Sequence, residues 1–293
     1  NGCASLPVTA TVTVLNSFTP DFDVSGDFCL ATNDLDFSNT STGTSGGSSY
    51  SWTFTGGSPA TSSQQNPTGV TWATDGSYDV TFTLTNGGCT QSITQSITIN
   101  PTPTVTATAT DALCFGDLGS VIASTASAGP SYSWDGGVGA GAGPHAVGAG
   151  TYTVTLTDGN GCIATASATV AIPTQVVVSA TSTDALCFGV CNGTLTGNNA
   201  TGGTGGYTYS WDGGPSSGSQ NQTNVCDGTY IVTATDANNC VATSSQTITE
   251  PAQLIGSLDA QTDALCNGGA DGTATVTASG GTAGYLFDIG GAQ

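Results

Sequence analysis

The sequence predicts an all-β chain: tandem immunoglobulin-like β-sandwich domains, disulfide-stapled and arranged as beads on a string. Three observations carry this expectation. The first is a repeated unit. Asp111-Ala112-Leu113-Cys114, Tyr132-Ser133-Trp134-Asp135-Gly136-Gly137, Gly150-Thr151-Tyr152 and Asp158-Gly159-Asn160-Gly161-Cys162 follow one another in that order. They return as Asp184-Ala185-Leu186-Cys187, Tyr209-Ser210-Trp211-Asp212-Gly213-Gly214, Gly228-Thr229-Tyr230 and Asp236-Ala237-Asn238-Asn239-Cys240. A third opening stands at Asp263-Ala264-Leu265-Cys266, so the openings are 73 and 79 residues apart (111, 184, 263). So long a period, with cysteines and aromatics in each unit, means an array of small domains. The second observation is strict alternation, as in Tyr78, Val80, Phe82 and Leu84, the period of a half-buried strand. The third is composition: 43 Gly, and acids that are all Asp except Glu250. Asp suits turns, whereas Glu suits helix interiors.

In chain order, residues 1–17 read as the end of a preceding immunoglobulin-like domain. Asn1-Gly2-Cys3 followed by Val8, Ala10, Val12 and Val14 parallels Asn160-Gly161-Cys162 followed by Ala164, Ala166, Ala168 and Val170. Residues 18–101 form a related domain opened by Cys29 and closed by Cys89, with Tyr50-Ser51-Trp52-Thr53-Phe54 as its central strand. Residues 102–173 and 174–251 are the two complete repeats, with Pro101, Pro103, Pro173 and Pro251 at the seams. Proline cannot continue a central strand and stiffens a short linker. Residues 252–293 read as the first half of a further repeat.

Two resemblances sharpen the reading. Residues 18–101 resemble a PKD-like domain through Tyr50-Ser51-Trp52-Thr53-Phe54, Asn66-Pro67 and Gly76-Ser77-Tyr78. They depart from that family at Thr55-Gly56-Gly57, where it usually carries Gly-Asp-Gly. From residue 102 onward the chain resembles the SprB-type repeat of bacterial gliding-motility surface adhesins. The matching residues are the Leu-Cys openings, Gly205-Gly206-Tyr207-Thr208-Tyr209-Ser210-Trp211, the Gly-Thr-Tyr elements and Asp236-Ala237-Asn238-Asn239-Cys240. The resemblance implies a gliding bacterium and export to the cell surface by a dedicated secretion system.

The ten cysteines at repeating positions point to disulfides and an oxidising compartment. Pairing within each domain is the expectation: Cys29 with Cys89, Cys114 with Cys162, and Cys187 with Cys240. Cys191 and Cys226 are expected to pair because both vanish in the preceding repeat, where Leu118 and Gly148 stand instead. Cys3 and Cys266 would find partners outside these residues.

Charge excludes several functions. The chain has no Lys or Arg and a formal charge of −20. Nothing neutralises phosphates, which argues against nucleic acid, and the same charge argues against anionic membranes. No apolar run approaches the length of a membrane span, so no membrane insertion is expected. The Asp-x-Asn turns at Asp158/Asn160 and Asp236/Asn238 offer oxygens of the kind Ca²⁺ takes. An Asx turn between strands is the competing reading. No cofactor is required. His145, the only histidine, has no second ligand or nucleophile in sequence, and the pairs Asp21/Asp23 and Asp34/Asp36 lie at domain edges.

No catalytic residue is therefore expected, and the chain is not expected to be an enzyme. The reading is a structural stalk segment of a very long, secreted, extracellular adhesin on a bacterial cell surface. Its partners would be neighbouring domains of the same long chain. Surface polysaccharide or the substratum would be reached through a distal tip. The alternatives are carbohydrate-binding accessory modules of a secreted hydrolase, or a self-assembling extracellular filament subunit.

Overall fold

The structure, a computed structural model, describes residues 9, 17–44, 46–216 and 218–288. Every regular element among them is a β-strand. The chain divides into two compact units. One takes the chain up to Thr108 with Val121–His145 and Thr151–Ala168; the other takes Ala109–Ser120, Ala146–Gly150 and the chain from Thr169 on. Residues 1–8 and 10–16, with the expected domain end and Cys3, lie outside the described residues.

In the first unit, residues 18–101 form an aromatic sandwich. Ser49–Phe54, Gly76–Asn86 and Cys89–Ile99 lie side by side, with Thr61–Ser62 on the outer edge of Ser49–Phe54. Phe22–Asp27 and Asp34–Asn39 make an antiparallel pair in the register Phe22↔Asn39. Alternation decides which residues enter the core. Trp52, Phe54, Val80, Phe82 and Leu84 are buried, together with Phe22, Leu35, Phe37 and Val70. The Trp52 and Phe82 rings stack with centroids 4.1 Å apart. On the opposite face Thr81, Thr83 and Thr85 meet Thr94, Ser92 and Thr90 at 2.9, 2.8 and 3.0 Å. Cross-strand hydroxyl pairs of this kind stabilise a solvated sheet face.

The tyrosine after the glycine fixes a corner. Tyr78 donates its hydroxyl to the Thr74 carbonyl at 2.9 Å. In the second complete repeat Tyr230 donates to the Cys226 carbonyl at 3.1 Å. These are the tyrosine corners expected of an immunoglobulin-like sandwich.

The 102–173 repeat has one sheet ordered Gly139–Ala140, Ser131–Trp134, Gly150–Thr157, Ile163–Val170, and a second ordered His145–Val147, Gly119–Ser124, Thr106–Thr110. Trp134, Val154 and Leu156 are buried. The 174–251 repeat, in the second unit, has two sheets of three strands. They are Ala180–Thr183, Gly193–Gly197, Asn221–Val225 and Thr208–Asp212, Gly228–Thr235, Val241–Ile248. Leu195, Trp211, Val225, Val232, Ala234 and Ile248 close its core. Beyond it, Ile255–Thr262 pairs with Thr273–Ser279, and both strands are exposed almost throughout.

Candidate functional site

The chemistry in this chain is concentrated in its cysteines, and two local devices present them. The first is the opening turn. Cys114-Phe115-Gly116-Asp117 closes on itself by Asp117 N–H donating to the Cys114 carbonyl at 3.1 Å. Val190 donates to Cys187 at 3.3 Å and Gly269 to Cys266 at 2.8 Å in the same way. The third residue is glycine each time, with φ of 90° at Gly116, 71° at Gly189 and 83° at Gly268. A turn that needs positive φ at its third position selects glycine there. Just upstream, an aspartate fastens the turn to the end of its own repeat. Asp111 accepts from Ala171 N–H at 2.7 Å and Asp184 from Thr249 N–H at 2.8 Å. Ala112 and Ala185 return backbone bonds to the same two residues and are buried, while Leu113 and Leu186 stay exposed.

The second device is the closing turn. Asp158 accepts from the N–H groups of Asn160 and Cys162, both at 2.9 Å. Asp236 accepts from Asn238 and Cys240 at 2.9 and 2.8 Å. Its second oxygen takes both the N–H and the hydroxyl of Thr204, at 2.9 and 3.0 Å. Hydrogen bonds led by the Thr204 N–H hold the Asp236 carboxyl below the usual aspartate range, against the opposing effect of burial. Asp27 plays a related part beside Cys29, where Thr32 and the Cys29 N–H lower its carboxyl.

These turns hold the four residues considered as Ca²⁺ ligands. Asp158 and Asp236 aim carboxylate oxygens at backbone N–H groups. Asn160 and Asn238 contribute their own N–H groups, and the Asn238 side-chain amide donates to the Leu113 carbonyl at 3.3 Å. The arrangement builds a rigid seat for a cysteine, and Cys162 and Cys240 are both buried in it.

The disulfides correct three expected pairings. Cys29 is bonded to Cys162 and Cys114 to Cys240, with Cα atoms 5.4 and 5.5 Å apart. Cys89 and Cys187 are free and exposed, as is Cys266. The pairs Cys29–Cys89, Cys114–Cys162 and Cys187–Cys240 therefore do not form. The reason is strand length. Cys114 is fastened near Ala171, where the last strand of its repeat ends, whereas Cys162 stands where that strand, Ile163–Val170, begins. Eight extended residues separate those points by about 26 Å at ~3.3 Å each. A disulfide needs Cα atoms within roughly 4.4–6.8 Å. Val241–Ile248 separates Cys240 from the Thr249 end beside Cys187 in the same way. Cys29 pairs with Asn100, at the far end of Cys89–Ile99 from Cys89. Cys29 and Cys114 thus stand at the far ends of the last strands of their own sheets, and each is bonded to the cysteine of a closing turn further along the chain, Cys162 and Cys240. The Cys191–Cys226 bond lies within one repeat.

Repeat alignment brought the right residue types forward but missed the Asp111 and Asp184 clasps and the part played by Asn238. The Leu-Cys-x-Gly opening, present three times at Cys114, Cys187 and Cys266, was the available signal. His145 lies in the strand His145–Val147, half-buried, with Nε2 3.1 Å from the Gly141 carbonyl and its ring edge-on to Trp134. Asp21 and Asp23 lie at and in an edge strand pair, and Asp36 accepts from Gly69 N–H at 3.0 Å.

Residues 179–216 and 258–292 match the SprB repeat family. No curated protein matches the chain. Solved structures that are similar include the three N-terminal domains of the bacteriophage RB49 outer capsid protein Hoc. They share 14% identity, cover 80% of this chain and 99% of that one, and give a TM-score of 0.34. The fibronectin(III)-like modules of Clostridium thermocellum CbhA share 14% identity over 53% of this chain and 94% of that one, at a TM-score of 0.28. A Bacteroides ovatus glucan-utilisation protein, SGBP-B, shares 16% over 78% and 66%, at 0.20.

Proposed function

We propose that the chain is a stalk segment of a secreted, cell-surface adhesin, serving attachment or gliding by carrying a binding region away from the cell. One observation carries the reading. Cys29–Cys162 and Cys114–Cys240 each bond a domain to the one that follows it, with separations of 133 and 126 residues. A bond inside a small domain stabilises that domain; a bond between successive domains restrains the linker joining them. Restraining linkers serves a protein whose task is to span a distance. The SprB repeat matches and the oxidising compartment that such bonds require support a place outside the cell. The acidic surface fits this role, since net charge far from zero favours solubility.

Antibody raised against residues 102–251 tests the reading on intact source cells. Labelling without permeabilisation is expected, and deletion of the segment should weaken attachment to a surface. Labelling that appears only after the cells are opened would overturn it.

A further inference from the structure

The two inter-domain disulfides obey one rule. The opening cysteine of a domain is bonded to the closing cysteine of the domain after it, as Cys29 is to Cys162 and Cys114 to Cys240. The three cysteines that are free among the described residues, Cys89, Cys187 and Cys266, occupy the same two kinds of position. Cys187 and Cys266 head the same Cys-x-Gly turn as Cys114. Cys187 is flanked by exposed Leu186 and Phe188, as Cys114 is by exposed Leu113 and Phe115. Cys89 opens the last strand of its domain, as Cys162 and Cys240 directly precede theirs. All three are exposed. The same positions in neighbouring repeats of this chain carry a bond, which is what points to a partner for these.

We propose that Cys187 and Cys266 are covalent docking sites for the closing cysteine of a further SprB-type repeat, and that Cys89 is the docking site for the opening cysteine of a preceding domain. The inference deepens the stalk reading and rests on it. The partner is a repeat of the same chemistry: an Asp-seated closing turn that presents a cysteine. Two sources supply it. One is further repeats in the same polypeptide. The other is a second copy of this chain, since Asn1-Gly2-Cys3 repeats the closing Asn160-Gly161-Cys162. Under the same rule, a head-to-tail pair of copies joins Cys187 to Cys3 and Cys266 to Cys89, leaving no thiol over at that junction.

Bond formation proceeds by thiol–disulfide exchange. The Cys187 thiolate attacks one sulfur of a donor disulfide, such as that of an oxidised thiol–disulfide oxidoreductase. The donor bond breaks and one donor thiolate leaves. The closing-cysteine thiolate then attacks the mixed disulfide at the Cys187 sulfur and expels the second donor thiolate. Two protein thiols are oxidised to one disulfide, and the donor disulfide is reduced to two thiols.

The test uses the 293-residue chain in a glutathione redox buffer, beside the polypeptide isolated from source cells with its thiols blocked on lysis. Both are cleaved at Asp, since there is no Lys or Arg to cut, and their disulfides are mapped without reduction. Covalent multimers of the 293-residue chain with Cys187–Cys3 and Cys266–Cys89 peptides support the proposal and identify a second copy as partner. Those multimers should be lost in a C89S/C187S variant, whose substitutions fall at exposed positions, and persist through one bond in C187S alone. A monomeric 293-residue chain, with Cys187 and Cys266 bonded in the cellular polypeptide to closing cysteines of later repeats, supports it with the same chain as partner. Blocked free thiols at Cys187 and Cys266 in the cellular polypeptide, or a Cys187–Cys240 or Cys187–Cys266 bond, would overturn it. Surface labelling reads the stalk function independently of these bonds, so the two ideas fail separately.

Discussion

At Asp236 one carboxylate does the work of a small loop-building kit, accepting from Asn238, Cys240 and twice from Thr204. Its lowered carboxyl sets a direction for acid sensitivity. A group whose folded pKa lies below its unfolded value, about 3.9 for Asp, stabilises the fold above that value. The contribution is lost as pH falls through the folded pKa. Denaturant titrations should therefore show stability falling below about pH 4, and Asp236→Asn should flatten that fall while lowering stability at pH 7. An unchanged pH profile in the variant would count against this role. Asn33 is a second buried polar hub. Its amide donates to the carbonyls of Leu30 and Trp72 at 2.9 and 3.0 Å, and its oxygen takes the Trp72 N–H at 2.6 Å. Asn33→Ala strands the buried Trp72 N–H and carbonyl, and each unsatisfied buried group costs about 1–3 kcal/mol. A lowered urea midpoint with an unchanged slope is the expected result.

At the scale of the element, the long hairpin Gly76–Asn86 to Cys89–Ile99 turns on two residues, Gly87 and Gly88, with φ of 60° and 85°. Two positive φ values in a two-residue turn match the right-handed twist of the strands it joins. A Cβ at Gly88 would meet nothing within 4 Å. Gly88→Val is therefore expected to cost conformational energy alone, about 1–2 kcal/mol for left-handed backbone, seen as a lower melting temperature. The hairpin was legible in the sequence because Val80, Phe82 and Leu84 alternate with threonines and Gly-Gly punctuates them. The strand Asn221–Val225 was not. Its buried Gln222 reads as a loop residue until its amide is seen bonded to the carbonyls of Ser216 and Ser219. The closing and opening cysteines were legible as kinds, since they recur. Their partners were misjudged because alignment treats a repeat as a list of positions. The length of Ile163–Val170, read as a distance, would have ruled out Cys114–Cys162.

The whole molecule carries 20 acids with no Lys or Arg to oppose them. Charges within a Debye length, about 8 Å at physiological salt, repel one another. Since Asp158 and Asp236 already face N–H groups, Ca²⁺ and Mg²⁺ at equal ionic strength should raise the melting temperature alike. A rise specific to Ca²⁺ would instead mark the Asp-x-Asn turns as a binding site. The Cys29–Cys162 and Cys114–Cys240 bonds have a mechanical consequence, because the loops they close overlap in sequence: one runs from 29 to 162, the other from 114 to 240. Under tension the force crosses the first bond from Cys29 to Cys162 and then has only the chain from 162 to 240 to stretch. Roughly 80 residues can pay out in place of roughly 210, or about 27 nm against about 72 nm at ~3.4 Å per residue. Single-molecule extension should show the shorter release in oxidised protein and the longer one after reduction. Each loop thus shields part of the other from load, as interlocking links in a strap do, so one domain can unravel without lengthening the whole tether in proportion.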